Sequence, residues 1–99
     1  MTIEMKKNGS TIEIALDGRL DTVTSPELDA RLKEELPGVG NVIFDFAKLE
    51  YVSSAGLRVL LSAQKAMNGQ GGTLKVVNVN ETVMEIFDVT GFSDILTIG

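Results

Sequence analysis

The sequence predicts an α/β fold, a small mixed β-sheet covered on one face by helices, with elements in the order β-β-α-β-α-β-α-(β). Three observations predict it. A turn signal, Lys7-Asn8-Gly9-Ser10, separates two short apolar segments near the start, as in an antiparallel hairpin. Beyond it, segments with strand periodicity alternate with segments of helical periodicity, which implies crossover connections and parallel strands. The length of 99 residues is that of one ordinary domain, expected to span 1–99. A sheet this small must be covered on at least one face, and three amphipathic helices suffice for one.

The elements follow in order. Ile3 to Met5 is the first apolar stretch. From Thr11 to Leu16 the chain alternates, with Ile12, Ile14 and Leu16 on one side, which marks a strand with one drier face. Asp17 to Thr22 reads as a polar connection. Ser25-Pro26-Glu27 is a helix start, since Ser can cap and Pro suits the first helical position. Leu28, Leu32 and Leu36 recur at four-residue spacing, and Pro37-Gly38 stops that helix. Val42-Ile43-Phe44, followed by Asp45-Phe46, is a short unbroken run expected to form a central strand covered on both faces. Next come Tyr51-Val52-Ser53-Ser54-Ala55-Gly56 and a second helix, with Leu57, Leu60, Leu61 and Met67 as its apolar stripe and Asn68 to Gly72 as its end. Thr73 to Val79 is another strand. Asn80 can cap a third helix carrying Val83, Met84, Ile86 and Phe87, and Gly91 fits its C-terminal stop. Ile95 to Ile98 is expected as a short last strand.

Composition narrows the function. The chain contains neither Cys nor His. Disulfides, Cys nucleophiles, Ser-His triads and nearly all zinc or transition-metal sites are thereby removed, and neither metal nor cofactor is expected. The net charge of −5 opposes binding to phosphate backbones, and the only basic pair is Lys6-Lys7, so no nucleic acid is expected as a partner. No apolar run reaches the roughly 20 residues of a membrane span, and the N-terminus lacks the apolar core of a signal peptide. The expectation is a cytoplasmic protein without a membrane partner.

The most informative segment is Val52-Ser53-Ser54-Ala55-Gly56-Leu57-Arg58, where two hydroxyls stand between a strand and a helix. One reading is capping, in which a Ser oxygen accepts from an unpaired backbone N–H. The other is a phosphorylation switch. A helix N-terminus tolerates a phosphate, and the added charge of roughly −1.5 to −2 changes the surface seen by a partner. Gly56 is unusual just inside a helix, where it costs roughly 1 kcal/mol relative to Ala. Close packing against the sheet explains it, as does close approach of a partner. Asp17, Asp21 and Asp45 are the carboxylates nearest strand ends, and an acid/base or Mg²⁺ pair is the enzymatic alternative they leave open. Gly69, Gly71 and Gly72 lack the spacing of a phosphate loop and read as a turn.

At Ser53-Ser54 the sequence resembles the STAS domain family, and within it the free-standing bacterial anti-sigma factor antagonists. Three blocks carry the resemblance. They are Leu16-Asp17-Gly18-Arg19-Leu20-Asp21 with Thr24 to Leu28, Val42 to Phe46 with Leu49 to Leu57, and Gly72-Thr73-Leu74 through Phe87 with Gly91-Phe92. The resemblance implies partner switching. An unphosphorylated antagonist binds an anti-sigma factor that is itself a serine kinase, which frees a sigma factor for transcription. The kinase phosphorylates the antagonist and so releases it, and a PP2C-type phosphatase restores it. The antagonist supplies no catalytic group. By resemblance the acceptor is Ser54, two residues before the signature Gly56, with Ser53 as lesser candidate where many members carry Asp. The implied docking face comprises Asp21, Ser53, Ser54, Gly56, Leu57 and Arg58.

Two other readings compete. STAS domains also act without phosphorylation, as subunits of lipid-transport or stressosome-like complexes, and some interact with nucleotides. A small carboxylate enzyme would need two acidic groups converging beside Ser54 or Asp21.

Overall fold

In a computed structural model describing all 99 residues, the Asn8-Gly9 signal produces the expected hairpin. Strand β1, Thr2–Asn8, pairs antiparallel with β2, Thr11–Leu20, in unbroken register from Thr2↔Asp17 to Asn8↔Thr11. β2 then pairs in parallel with β3, Asn41–Val52. β3 pairs in parallel with β4, Thr73–Val77, and β4 with the two-residue β5, Thr97–Ile98. Spatial order equals sequence order, β1-β2-β3-β4-β5. Helices α1, Ser25–Glu35, α2, Ser54–Gly69, and α3, Glu81–Thr90, connect the parallel strands and pack on one face. A 3₁₀ turn, Phe92–Asp94, precedes β5. The mixed sheet covered on one face is the fold class the sequence predicts.

Period-two alternation sets which face is dry. Ile12, Ile14 and Leu16 of β2, Val42, Phe44 and Phe46 of β3, and Leu74 and Val76 of β4 are all buried beneath the helices. They join Leu28, Leu32, Leu60, Met67, Val83 and Phe87 in one core of 23 buried apolar residues. The Phe46 ring links the sheet to α3, with centroids 5.6 Å from Phe44 and 6.3 Å from Phe87. Ile43 and Asp45 point to the open face and are half-buried. β3 is therefore central but covered on one face, not both. No helix is long and apolar enough to cross a membrane.

Several boundaries differ from expectation. β2 does not end at Leu16 but runs through Asp17-Gly18-Arg19 to Leu20, and β3 runs on beside it to Val52. Register shifts at Ala15/Asp17 and Gly18/Arg19 absorb the irregularity, and Gly18 adopts φ 111°, which side chains disfavour. The driving force is burial, because Leu20, Leu49 and Val52 are almost wholly enclosed. β4 stops at Val77 rather than Val79 because Asn78 takes φ 58°. Ser25 does not cap α1. Thr24 occupies the N-cap position, Pro26 stands in the first turn, and Ser25 is buried with its hydroxyl donating to the Asp21 carbonyl. At α3 the expected caps form. Val83 N–H donates to Asn80 Oδ1 at 2.9 Å, and Gly91 takes the left-handed C-cap conformation.

Candidate functional site

The candidate site lies where β2 and β3 reach their C-terminal ends and release the chain into α1 and α2. Ser53 follows Val52 with an extended backbone (φ −87°, ψ 175°) and caps α2. Its N–H donates to the Leu20 carbonyl at 2.8 Å, which ties the start of α2 to the end of β2. Its hydroxyl accepts from Gly56 N–H at 3.4 Å, a long bond. The cap therefore belongs to Ser53. Ser54 is the first helical residue and is exposed to solvent. One serine is engaged by the helix end and the other faces outward.

Gly56 and Leu57 do not lie on the outward face implied by the resemblance. Gly56 is buried, and a Cβ on it would stand 2.7 Å from Leu20 Cγ and 2.9 Å from the Leu20 carbonyl oxygen. Close packing on the end of β2 accounts for glycine here. Leu57 is 6% exposed and belongs to the core. Neither offers a surface to a partner. Arg58 is exposed, one turn after Ser54 on the same side of the helix.

Asp21 organises the neighbouring loop. Its Oδ1 accepts from Val23 N–H at 3.0 Å and Thr24 N–H at 3.1 Å. The Thr24 hydroxyl accepts from Asp21 N–H at 2.9 Å and donates to the Arg19 carbonyl at 2.8 Å. The Thr24 N–H, with that of Val23, holds the Asp21 carboxyl below its ordinary value, since these donors favour the charged form. The loop thereby presents Val23, which is 85% exposed. Sequence reasoning passed over Val23. Its only signal is an apolar residue inside an otherwise polar connection. Behind the loop, the Arg19 guanidinium lies 4.6 Å from the Tyr51 ring centroid and braces the two strand ends.

Loop and helix enclose an open groove of about 440 Å³. Thr22 and Pro26 line one side, Ala55, Arg58 and Val59 the other, with Asp29 as its only carboxylate. The acidic pair required by an enzyme beside Ser54 or Asp21 is not assembled here. Asp17 and Asp45 instead line a cleft of about 220 Å³ on the open face of the sheet. There Asp45 accepts from the Asn78 side-chain amide and from Ala47 N–H, both at 3.0 Å, and the two donors, Asn78 foremost, lower its pKa. A carboxylate stabilised as the anion is a poor proton acceptor at neutral pH. No three acidic side chains gather as a metal site would need.

The model of a family described as "STAS domain" matches residues 2–99. The anti-sigma-B factor antagonist of Bacillus subtilis is 29% identical over 98 residues, covering 99% of this chain and 90% of the relative. Two structures of the Bacillus protein SpoIIAA share the fold at 19% identity. The unphosphorylated anti-sigma factor antagonist superposes with a TM-score of 0.79, covering 99% of this chain and 87% of that one. The phosphorylated form superposes with a TM-score of 0.78, covering 99% and 91%.

Proposed function

The chain belongs to the STAS domain family, and from that premise we propose that it is a cytoplasmic anti-sigma factor antagonist switched by phosphorylation of Ser54. In this reading the unphosphorylated chain docks on an anti-sigma factor that is a serine kinase. Phosphate transfer to Ser54 releases it, and a PP2C-type phosphatase resets it. The observation that carries the reading is the division of labour at the head of α2. Ser53 makes the cap, and Ser54 stands exposed next in sequence to Ala55, which lines the groove formed with the loop after β2. A kinase can reach that hydroxyl without opening the fold. Relatives named as antagonists of anti-sigma factors support the same role.

The physical basis of release is a charged group placed on a docking surface. Asp21, Ser53, Ser54 and Arg58 contribute to that surface, while Gly56 and Leu57 support it from beneath. A hundredfold loss of affinity requires only ~2.7 kcal/mol. Desolvating a dianion against an interface readily costs that much. A phosphate there would stand at the N-terminal end of α2, where the helix dipole favours an anion, and Arg58 lies one turn away.

The test uses the purified chain with a cognate kinase-type anti-sigma factor. Wild type should bind and then dissociate when ATP and Mg²⁺ are added, gaining one phosphate mapped to Ser54 by mass spectrometry. Ser54→Ala should bind and stay bound. Ser54→Asp should fold and bind at least tenfold more weakly. Persistent binding without phosphate gain would instead indicate a STAS interaction module that works without modification.

A further inference from the structure

β1 is an edge strand whose outer side pairs with nothing, and its seven residues make it much the longer of the two sheet edges, since β5 has two. Long, regular, uncovered edges are templates for pairing with another chain. β1 has the required regularity. Its ladder to β2 runs without a register shift, and it contains no proline. It also leaves apolar surface unfinished, because Ile3 and Met5 on the helix side are only half-buried.

The charges on β1 specify a partner. Glu4 and Lys6 flank Met5, are both exposed, and point to the open face two residues apart. We propose that two copies of this chain join through their β1 edges, antiparallel, about a twofold axis at Met5, making one continuous sheet. In that register Glu4 of each copy stands opposite Lys6 of the other, so each pair occurs twice. Within its own chain Lys6 already lies across from Glu13, and Glu4 across from Ala15. Each Lys6 therefore comes to rest between two carboxylates, and no like charges oppose. Moving the axis one residue either way would set Glu4 against Glu4 or Lys6 against Lys6. On the helix side Met5 meets Met5, and Ile3 meets the aliphatic stem of Lys7, whose ammonium is held by Glu35 at 2.9 Å. None of the residues assigned to the switch takes part.

The proposal is tested by sedimentation velocity of the full chain over a concentration series. Wild type should dimerise. Glu4→Lys and Lys6→Glu should each weaken the dimer about tenfold or more, because two attractive pairs become two repulsive ones. An equimolar mixture of the two variants should recover association. In the mixed dimer the lysine introduced by the first substitution faces the glutamate introduced by the second, and the remaining native Lys6 faces the remaining native Glu4. The double variant, E4K with K6E, should recover association alone. Glu4→Lys lies opposite Ala15 and leaves the intrachain pairing intact, so its monomer should remain folded by circular dichroism. A wild-type chain that stays monomeric throughout would overturn the proposal. So would a dimer indifferent to these substitutions, or a mixture that fails to recover.

Discussion

At the scale of single residues, the Leu20 carbonyl is the fixed point of the site. It accepts Ser53 N–H at 2.8 Å and also lies against Gly56, where an added Cβ would come within 2.9 Å of it. Gly56→Ala improves helix propensity by roughly 1 kcal/mol. It must also push apart two segments joined by that hydrogen bond, and overpacking of this kind costs about 1–3 kcal/mol. The net expectation is a less stable protein in urea denaturation, with weaker partner binding because Ser53 and Ser54 move with the displaced helix end. The neighbouring Arg58 yields a second test. Phosphorylated Ser54 should lose its second proton below the usual value of about 6, because Arg58 and the helix N-terminus both favour the dianion. A ³¹P NMR titration should show that value rise toward about 6 in Arg58→Ala. Equal titrations in the two proteins would mean that Arg58 does not reach the phosphate.

At the scale of elements, Asp45 shows how a strand interior is tied to a strand exit. Its carboxylate on β3 accepts the Asn78 amide just beyond β4, at the residue whose φ of 58° ends that strand. These bonds lower its folded pKa below the ordinary 3.8. The resulting stabilisation is present above the unfolded pKa and disappears as pH falls through the folded one. Asp45→Asn keeps an acceptor and removes the charge. Wild type should therefore be the more stable at neutral pH, and the difference should shrink as pH drops below about 3.8. A gap between the two urea midpoints that does not change with pH would refute this assignment. The elements also mark what was legible beforehand. Helix starts and stops were readable where local chemistry acts alone, as at Asn80 and Gly91. The segment Asp17-Gly18-Arg19 was not readable as strand, because its extension depends on pairing with Lys48 to Tyr51 and on burying Leu20, both nonlocal. Ser25 differed for a local reason: the Asp21 carboxylate orders the loop before α1, and the Ser25 hydroxyl turns inward to the Asp21 carbonyl. Of the candidate residues, Ser54 and Arg58 are exposed, as a docking face requires. Gly56 and Leu57 were misplaced because sequence spacing does not distinguish a surface from the packing beneath it.

At the scale of the whole molecule, the question is whether switching requires a change of shape. Ser54 is exposed on the first turn of α2, whereas the same helix is anchored by Leu57, Leu60, Ala63 and Met67 in the continuous core. A close-packed interior resists small displacements, so a charge added outside it has little leverage on the sheet. The proposed phosphorylation of Ser54 should therefore act by changing who can dock. In ¹⁵N–¹H spectra, amide shifts on phosphorylation should concentrate at Asp21 to Ser25 and Ser53 to Arg58. Phe44, Phe46 and Val76, buried in β3 and β4, should stay in place. Thermal midpoints should differ by only a few degrees, as expected for a surface charge near a helix N-terminus, worth about 0.3–1 kcal/mol. Large shifts propagating into β3 and β4 would mean that the core itself has two arrangements, and the switch would then be conformational rather than electrostatic.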